Sequence, residues 1–270
     1  MELSLPEFPT APGAQAAFAA VCFLILIGLL FLIFPASVGR FLGLESRETR
    51  PGGIGELRAA GGLLAGLSIA TLMFFDQPIL CTVLGVALLL STFGRILSLM
   101  SDKSATALNF LLLLVQVVLT GATLYYFFDV FKPGMQLAVP LELDAKLVFF
   151  TYAGLAILGA LVMFGPRLSM AICGLGVTAE KASAITTIRS AGGFGLGLGL
   201  MGLMVSGNAE NALVDLLMVN LAVAAALALA IIGRLVALAL NRGNYTYAIV
   251  ALVVEGAAAG IVISAVLSAM

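Results

Sequence analysis

Histidine and tryptophan are absent from the 270 residues, cysteine occurs three times, and only 10% of the chain is charged. Each shortage removes a class of function. Without imidazole there is no His-ligated haem, no His metal cluster, and no Ser–His or Cys–His catalytic pair. Without Trp, an interfacial aromatic belt has to be built from Tyr and Phe. Cys22, Cys81 and Cys173 are far apart and form no Cys-x-x-Cys pair, so they read as small hydrophobes. The net charge of −1 comes with no basic run, which leaves no signature of a nucleic-acid partner. The opening MELSLPEFPTAPGAQ carries two glutamates and no Lys or Arg. That is the wrong flank for a cleaved signal peptide, so the first apolar block is expected to be retained.

What is abundant is apolar surface. Hydrophobic residues make up 62% of the chain, against about 45–50% in an ordinary soluble domain with about 25% charged residues. Such a chain cannot cover a globule with polar side chains. Its apolar content falls in blocks of about 20 residues, the length that crosses a bilayer as a helix. Eight blocks stand between breakers: Gln15–Phe34, Leu57–Phe75, Pro78–Ser101, Ala105–Phe128, Lys146–Phe164, Thr186–Met204, Ala212–Leu240 and Asn244–Leu267. The expected fold is an all-α polytopic membrane protein.

Lys and Arg divide unevenly across these spans. One side collects Arg40, Arg47, Arg50, Arg58, Arg95, Lys103, Arg167, Lys181, Arg189, Arg234 and Arg242, while the other has Lys132 and Lys146. The positive-inside rule makes the first side cytoplasmic, so both termini are expected to be non-cytoplasmic.

The chain also repeats itself. Residues Pro35–Met73 align without a gap on Pro166–Met204 at an offset of 131, and Leu88–Leu124 on Leu227–Ile263 at an offset of 139. Apolar helices match by chance at leucine, so glycine and arginine carry the weight. Arg58 falls on Arg189, Gly61-Gly62 on Gly192-Gly193, Gly94-Arg95 on Gly233-Arg234, and Gln116 on Glu255. An even number of spans returns the chain to its starting side, so the two four-helix repeats are expected to be parallel. The division is an N-terminal tail (1–14), a first repeat (15–130), an external linker (131–145) and a second repeat (146–270).

Four spans, with Glu56, Arg58, Ala59, Gly61 and Gly62 leading into the second and Gly94-Arg95 near the end of the third, form a recognisable pattern. It resembles a bacterial family, the domain of unknown function 4345, grouped with DoxX-like four-helix membrane proteins. The second half keeps Arg189, Gly192, Gly193, Gly233 and Arg234 but has Thr187 where the acid stands. The resemblance covers nearly the whole chain as tandem copies. It implies a helical bundle in the bacterial cytoplasmic (inner) membrane, and no activity. The cysteines and histidines that redox relatives would use are missing.

A charge at the bilayer centre costs at least ~2.5–3.5 kcal/mol, so intramembrane polar residues are the functional candidates. Glu255 lies eleven residues past Asn244, ~16 Å deep at 1.5 Å per residue, and Arg234 lies ~9 Å inside the same end of the preceding span. A Glu255–Arg234 pair is expected across the remaining ~7 Å, within reach of a long Arg side chain. Glu255 reads either as a protonatable carboxylate in an ion-coupled pathway or as the buried partner of Arg234. Its counterpart Gln116 is neutral. Arg58, Arg95, Arg189 and Arg234 read as two niches for an anionic lipid headgroup or acidic metabolite, or as snorkelling anchors paired with Glu56, Asp102 or helix-end carbonyls.

Gly197, Gly199 and Gly202 spell a formal dinucleotide fingerprint, but inside a span with no preceding strand it is rejected. Gly62 with Gly66, and Gly193 with Gly197, instead mark close helix approach, which makes the second span of each repeat an inner helix. The loops Ala36–Gly55 and Arg167–Ile185 are the longest on the basic side. Arg40, Phe41, Leu42 and Leu44, followed by Glu45, Arg47 and Arg50, read as an interfacial amphipathic stretch.

Three functions fit to different degrees. The first is a non-enzymatic accessory or lipid- or small-ligand-binding protein, its partners membrane lipids and in the accessory case a membrane-protein complex. The second is a small proton- or ion-coupled transporter with Glu255 as the proton carrier. A lipid enzyme comes last, because no catalytic pair and no metal cluster is visible. No cofactor is expected.

Overall fold

The computed structural model describes residues 6–46, 52–130, 138–177, 183–208, 213–240 and 245–268. Arg47, Arg50, Lys132, Lys181, Arg242 and the start of the linker lie outside the described residues. Eight helices are long and apolar enough to cross a membrane. They are α1 (Pro12–Ile33), α3 (Gly53–Met73), α4 (Pro78–Ser101), α5 (Ala107–Thr123, prolonged through a 3-10 turn into α6, Phe127–Val130), α7 (Leu143–Phe164), α9 (Ser183–Ser206), α10 (Leu213–Ala239) and α11 (Tyr245–Ser268). Two short helices, α2 (Pro35–Leu42) and α8 (Pro166–Cys173), follow α1 and α7. The protein is an all-α polytopic membrane protein. Helices are the natural solution, because hydrocarbon offers no partner for an unpaired backbone amide.

Proline opens α1, α2, α4 and α8 at the first turn, where its missing N–H costs nothing. Gly43 and Gly174 close α2 and α8 in the left-handed region, with φ of 78° and 74°. A Cβ is strained there, and glycine is the usual terminator. Beyond each glycine the chain turns into a three-residue strand. Leu44–Ser46 pairs antiparallel with Leu175–Val177, and Glu45 stands opposite Gly176, its 131-residue counterpart. The described part of the stretch read as interfacial and amphipathic, residues 40–46, is thus the end of a helix, a glycine stop and half of a two-stranded ribbon.

The spans form a closed ring in which neighbours are α1, α3, α10, α11, α7, α9, α4, α5 and again α1. The halves of the chain interlock, since α3 packs on α10 and α4 on α9. In the most apolar 18-residue stretch of each span, more than half of the residues are buried in α3, α4, α9 and α10, and no more than a third in the other four. The core lies among these inner helices, around Leu67, Leu84, Leu198, Met201 and Val223. The glycine spacing foretold α3 and α9 as inner helices. It did not foretell α4 and α10, whose contacting residues are mostly alanine, leucine and serine.

Glycine sets these contacts. A Cβ at Gly62 would collide with the Leu229 carbonyl, and one at Gly193 with the Leu90 carbonyl. Gly66 meets Ala225 and Ala226, and Gly197 meets Val86 and Ala87. On the outer side Gly61 abuts Leu32 of α1, and Gly192 abuts Met163 of α7. Each contact in one half recurs 131 or 139 residues on. One buried polar pair does not recur: Tyr152 Oη donates to Asn220 Oδ1 at 2.7 Å, where the offset positions hold Val21 and Cys81, both fully buried.

Gly193→Val is expected to destabilise the protein by about 1–3 kcal/mol, the usual cost of overpacking. Gly256→Ala on α11, where no described atom lies within 4 Å of the added carbon, is expected to be near neutral. Thermal unfolding of both variants in one detergent checks the contrast.

Candidate functional site

Two polar clusters lie inside the ring, each built around the arginine of a Gly-Arg pair. Glycine comes first because the backbones must touch there. A Cβ on Gly233 would stand 2.9 Å from the Arg58 carbonyl oxygen, and one on Gly94 would stand 2.5 Å from that of Arg189. The same step of α3 on α10, and of α9 on α4, therefore positions Arg234 and Arg95 against comparable neighbours.

Arg234 is 4% exposed and its charge is met twice. Its Nε donates to Glu255 Oε2 at 3.1 Å and its Nη2 to Glu255 Oε1 at 2.7 Å, a bidentate pair. Its Nη1 donates to Glu56 Oε1 from the first turn of α3. The depth argument thus placed Glu255 correctly beside Arg234, and Glu56 joins from across the ring. Two carboxylates face one guanidinium. Cys173 Sγ donates to Tyr247 Oη at 3.4 Å next to this cluster. Burial pushes the Cys173 thiol up to about 11, and the nearby Glu56 charge acts the same way. Such a thiol is an inert one.

Arg95 is 8% exposed and its surroundings differ. Its Nε donates to Gln116 Oε1 at 2.7 Å. Among the described residues no carboxylate reaches it, and its buried Nη1 has no hydrogen-bond partner. Hydroxyls and amides gather around Gln116 and along the same helices instead. Gln116 Nε2 donates to Ser91 Oγ at 2.6 Å and to Ser190 Oγ at 3.2 Å, and the two serines are 2.7 Å apart. Thr92 and Thr120 meet at 3.1 Å, and Ser98 and Thr186 at 2.9 Å. Asn109 Nδ2 donates to the Ser104 carbonyl at 2.6 Å.

These hydroxyls were missed in the sequence, although a signal was there. At the offset positions of Ser91, Ser98, Thr120, Thr186 and Ser190 the other half carries Ala230, Ala237, Ala259, Gly55 and Ala59. Identities between the halves mark the shared scaffold. Differences mark where one half is polar and the other is not.

Arg189 and Arg58 are engaged within the chain. Arg189 Nε donates to Asp102 Oδ2 at 2.6 Å, its Nη2 to Oδ1 at 3.2 Å, and its Nη1 to the Met163 carbonyl at 2.9 Å. The anchoring reading therefore describes Arg189, with Asp102 as its partner. Arg58 contributes its carbonyl at Gly233 and has interactions of its own within the chain. Among the described residues no group of three or more Cys, Asp and Glu side chains is arranged to hold a metal ion.

The class defined by these features is a polytopic membrane protein with two charged places in its interior. No family model, no curated protein and no solved structure matches the chain.

Asp102 lies just past the end of α4, outside the spans. Burial would raise its carboxyl, but hydrogen bonds from Arg189 and Ser98, with the Arg189 charge, together hold it below the ordinary range. A carboxyl with a depressed native pKa adds stability above its unfolded value, about 3.9, and loses it as pH falls through the native value. Asp102→Asn is expected to lower Tm at pH 7, and the gap to the parent protein should close only below about pH 4. Paired melts across pH check this; a gap unchanged with pH contradicts it.

Proposed function

We propose that this protein is a non-enzymatic binding protein of the bacterial inner membrane, a tandem DoxX-like chain whose Arg95 cluster holds an anionic lipid headgroup or a small acidic ligand. The basic side faces the cytoplasm and both termini face outward. One observation carries the reading. Two arginines occupy matched places, and Arg234 has two carboxylates while Arg95 has none among the described residues. A buried guanidinium stays charged, and an uncompensated charge in a low-dielectric interior is costly. An anion from outside the chain resolves that imbalance, and the hydroxyls around Gln116 offer it further donors.

Mild extraction followed by native mass spectrometry tests this. The parent protein is expected to carry one anionic lipid or small acid, and Arg95→Gln is expected to lose it. Identical adducts on both proteins, or none on either, contradict the reading. A stoichiometric protein partner in the same spectra would point to the accessory role.

A second reading, proton-coupled transport through Glu255, is favoured by the surplus carboxylate on Arg234. Two carboxylates face this one guanidinium, and their side chains keep 16% and 20% of their exposure. In vesicles enclosing a pH-sensitive dye, a coupled carrier passes protons down an imposed gradient and Glu255→Gln abolishes the flux. A binding protein gives the trace of empty vesicles.

A further inference from the structure

The Arg234 cluster shows what fills such a seat when the chain supplies the occupant. Around Arg234, Nε and Nη2 are taken by α11 through Glu255, and Nη1 is taken by α3 through Glu56. Around Arg95, Nε is taken by α5 through Gln116, the counterpart of Glu255. The buried Nη1 of Arg95 has no hydrogen-bond partner among the described residues. The residue standing where Glu56 stands is Thr187, and its hydroxyl turns away to donate to the Ser183 carbonyl of its own helix at 3.1 Å. The same nitrogen is thus served by a carboxylate in one cluster and unserved in the other. The backbones that set this geometry make matched contacts at Gly233 and Gly94.

Resting on the binding function proposed above, we infer that the Arg95 cluster seats one singly charged oxyanion headgroup of a membrane amphiphile at Nη1, on the Thr187 side, in the place that the Glu56 carboxylate fills on Arg234. The charge count sets the valence. Asp102 is matched by Arg189, and Gln116 and the hydroxyls are neutral, so Arg95 leaves one positive charge. One negative charge balances it. The seat lies within the span of α4, beside α5, whose face is largely exposed to the surrounding phase. An apolar tail can lie along that face while the head reaches the guanidinium. A carboxylate and a phosphodiester both satisfy this chemistry.

The test supplies the missing carboxylate from the chain. The full-length protein in zwitterionic phosphatidylcholine nanodiscs is titrated separately with oleate, with phosphatidylglycerol and with acetate, and occupancy is read by native mass spectrometry. The parent protein is expected to bind one molecule of oleate or of phosphatidylglycerol, and the stronger of the two identifies the head as carboxylate or phosphodiester. Arg95→Gln is expected to bind at least about tenfold more weakly, as befits a lost charge-assisted hydrogen bond. Thr187→Glu is expected to abolish binding with Tm at or above that of the parent, and Thr187→Gln to retain it. Undiminished binding by Thr187→Glu, binding of acetate alone, or two molecules bound per chain would overturn the seat while leaving the broader binding function standing. If the parent protein binds none of the three, that broader function fails with it. Arg95→Gln reads the same site without adding a charge, so the outcome does not depend on whether Thr187→Glu folds.

Discussion

A guanidinium inside an apolar helix ring needs a counter-charge, and much of this interior follows from that need. Burying an ion costs several kcal/mol even after relaxation, and only a close, well-aligned partner offsets it. Arg234 and Arg189 meet the requirement within the chain, through Glu56, Glu255 and Asp102. Arg95 has only a neutral amide, that of Gln116, and among the described residues no carboxylate. The hydroxyls gathered near Arg95 soften the local environment, but a hydroxyl carries no charge.

The arginines reach these depths because glycine lets the inner helices touch. At Gly94 and Gly233 the backbone of one helix rests on the carbonyl of the arginine two positions past Thr187 or Glu56. That contact fixes which residue faces which guanidinium. At Gly62 and Gly193 the same closeness removes room for side chains and locks α3 on α10 and α9 on α4. Packing and electrostatics are therefore one problem in this fold. Moving a helix by the width of a methyl group would move the carboxylates as well.

Much of the architecture was legible in the chain because the bilayer imposes strong rules. Span lengths and the breakers between the apolar blocks place all eight membrane helices within a few residues of those observed. Depth counted along two adjacent spans was enough to pair Arg234 with Glu255. What was not legible depended on partners distant in sequence. The ribbon of Leu44–Ser46 with Leu175–Val177 has too few residues to show a period. The inner position of α4 and α10 shows in no glycine spacing, because apart from Gly94 and Gly233 their contacts with α9 and α3 fall opposite the glycines of those helices. Glu56 looked like a loop-side anchor for a neighbouring arginine, and only the interlocking of the halves brings it to Arg234. Ser91 and Ser190 looked like ordinary small residues in a membrane helix. Their meaning emerged once each half was compared with the other for what differs.

The central claim is that the two arginines are compensated in different ways, one by the chain and one from outside it. An experimental density map of the protein purified with its native lipids tests that most directly. The account predicts a non-protein feature within hydrogen-bonding distance of Arg95 Nη1, and Arg234 closed off by Glu56 and Glu255 alone. A protein carboxylate on Arg95, or a bound anion on Arg234 with Arg95 bare, would contradict it.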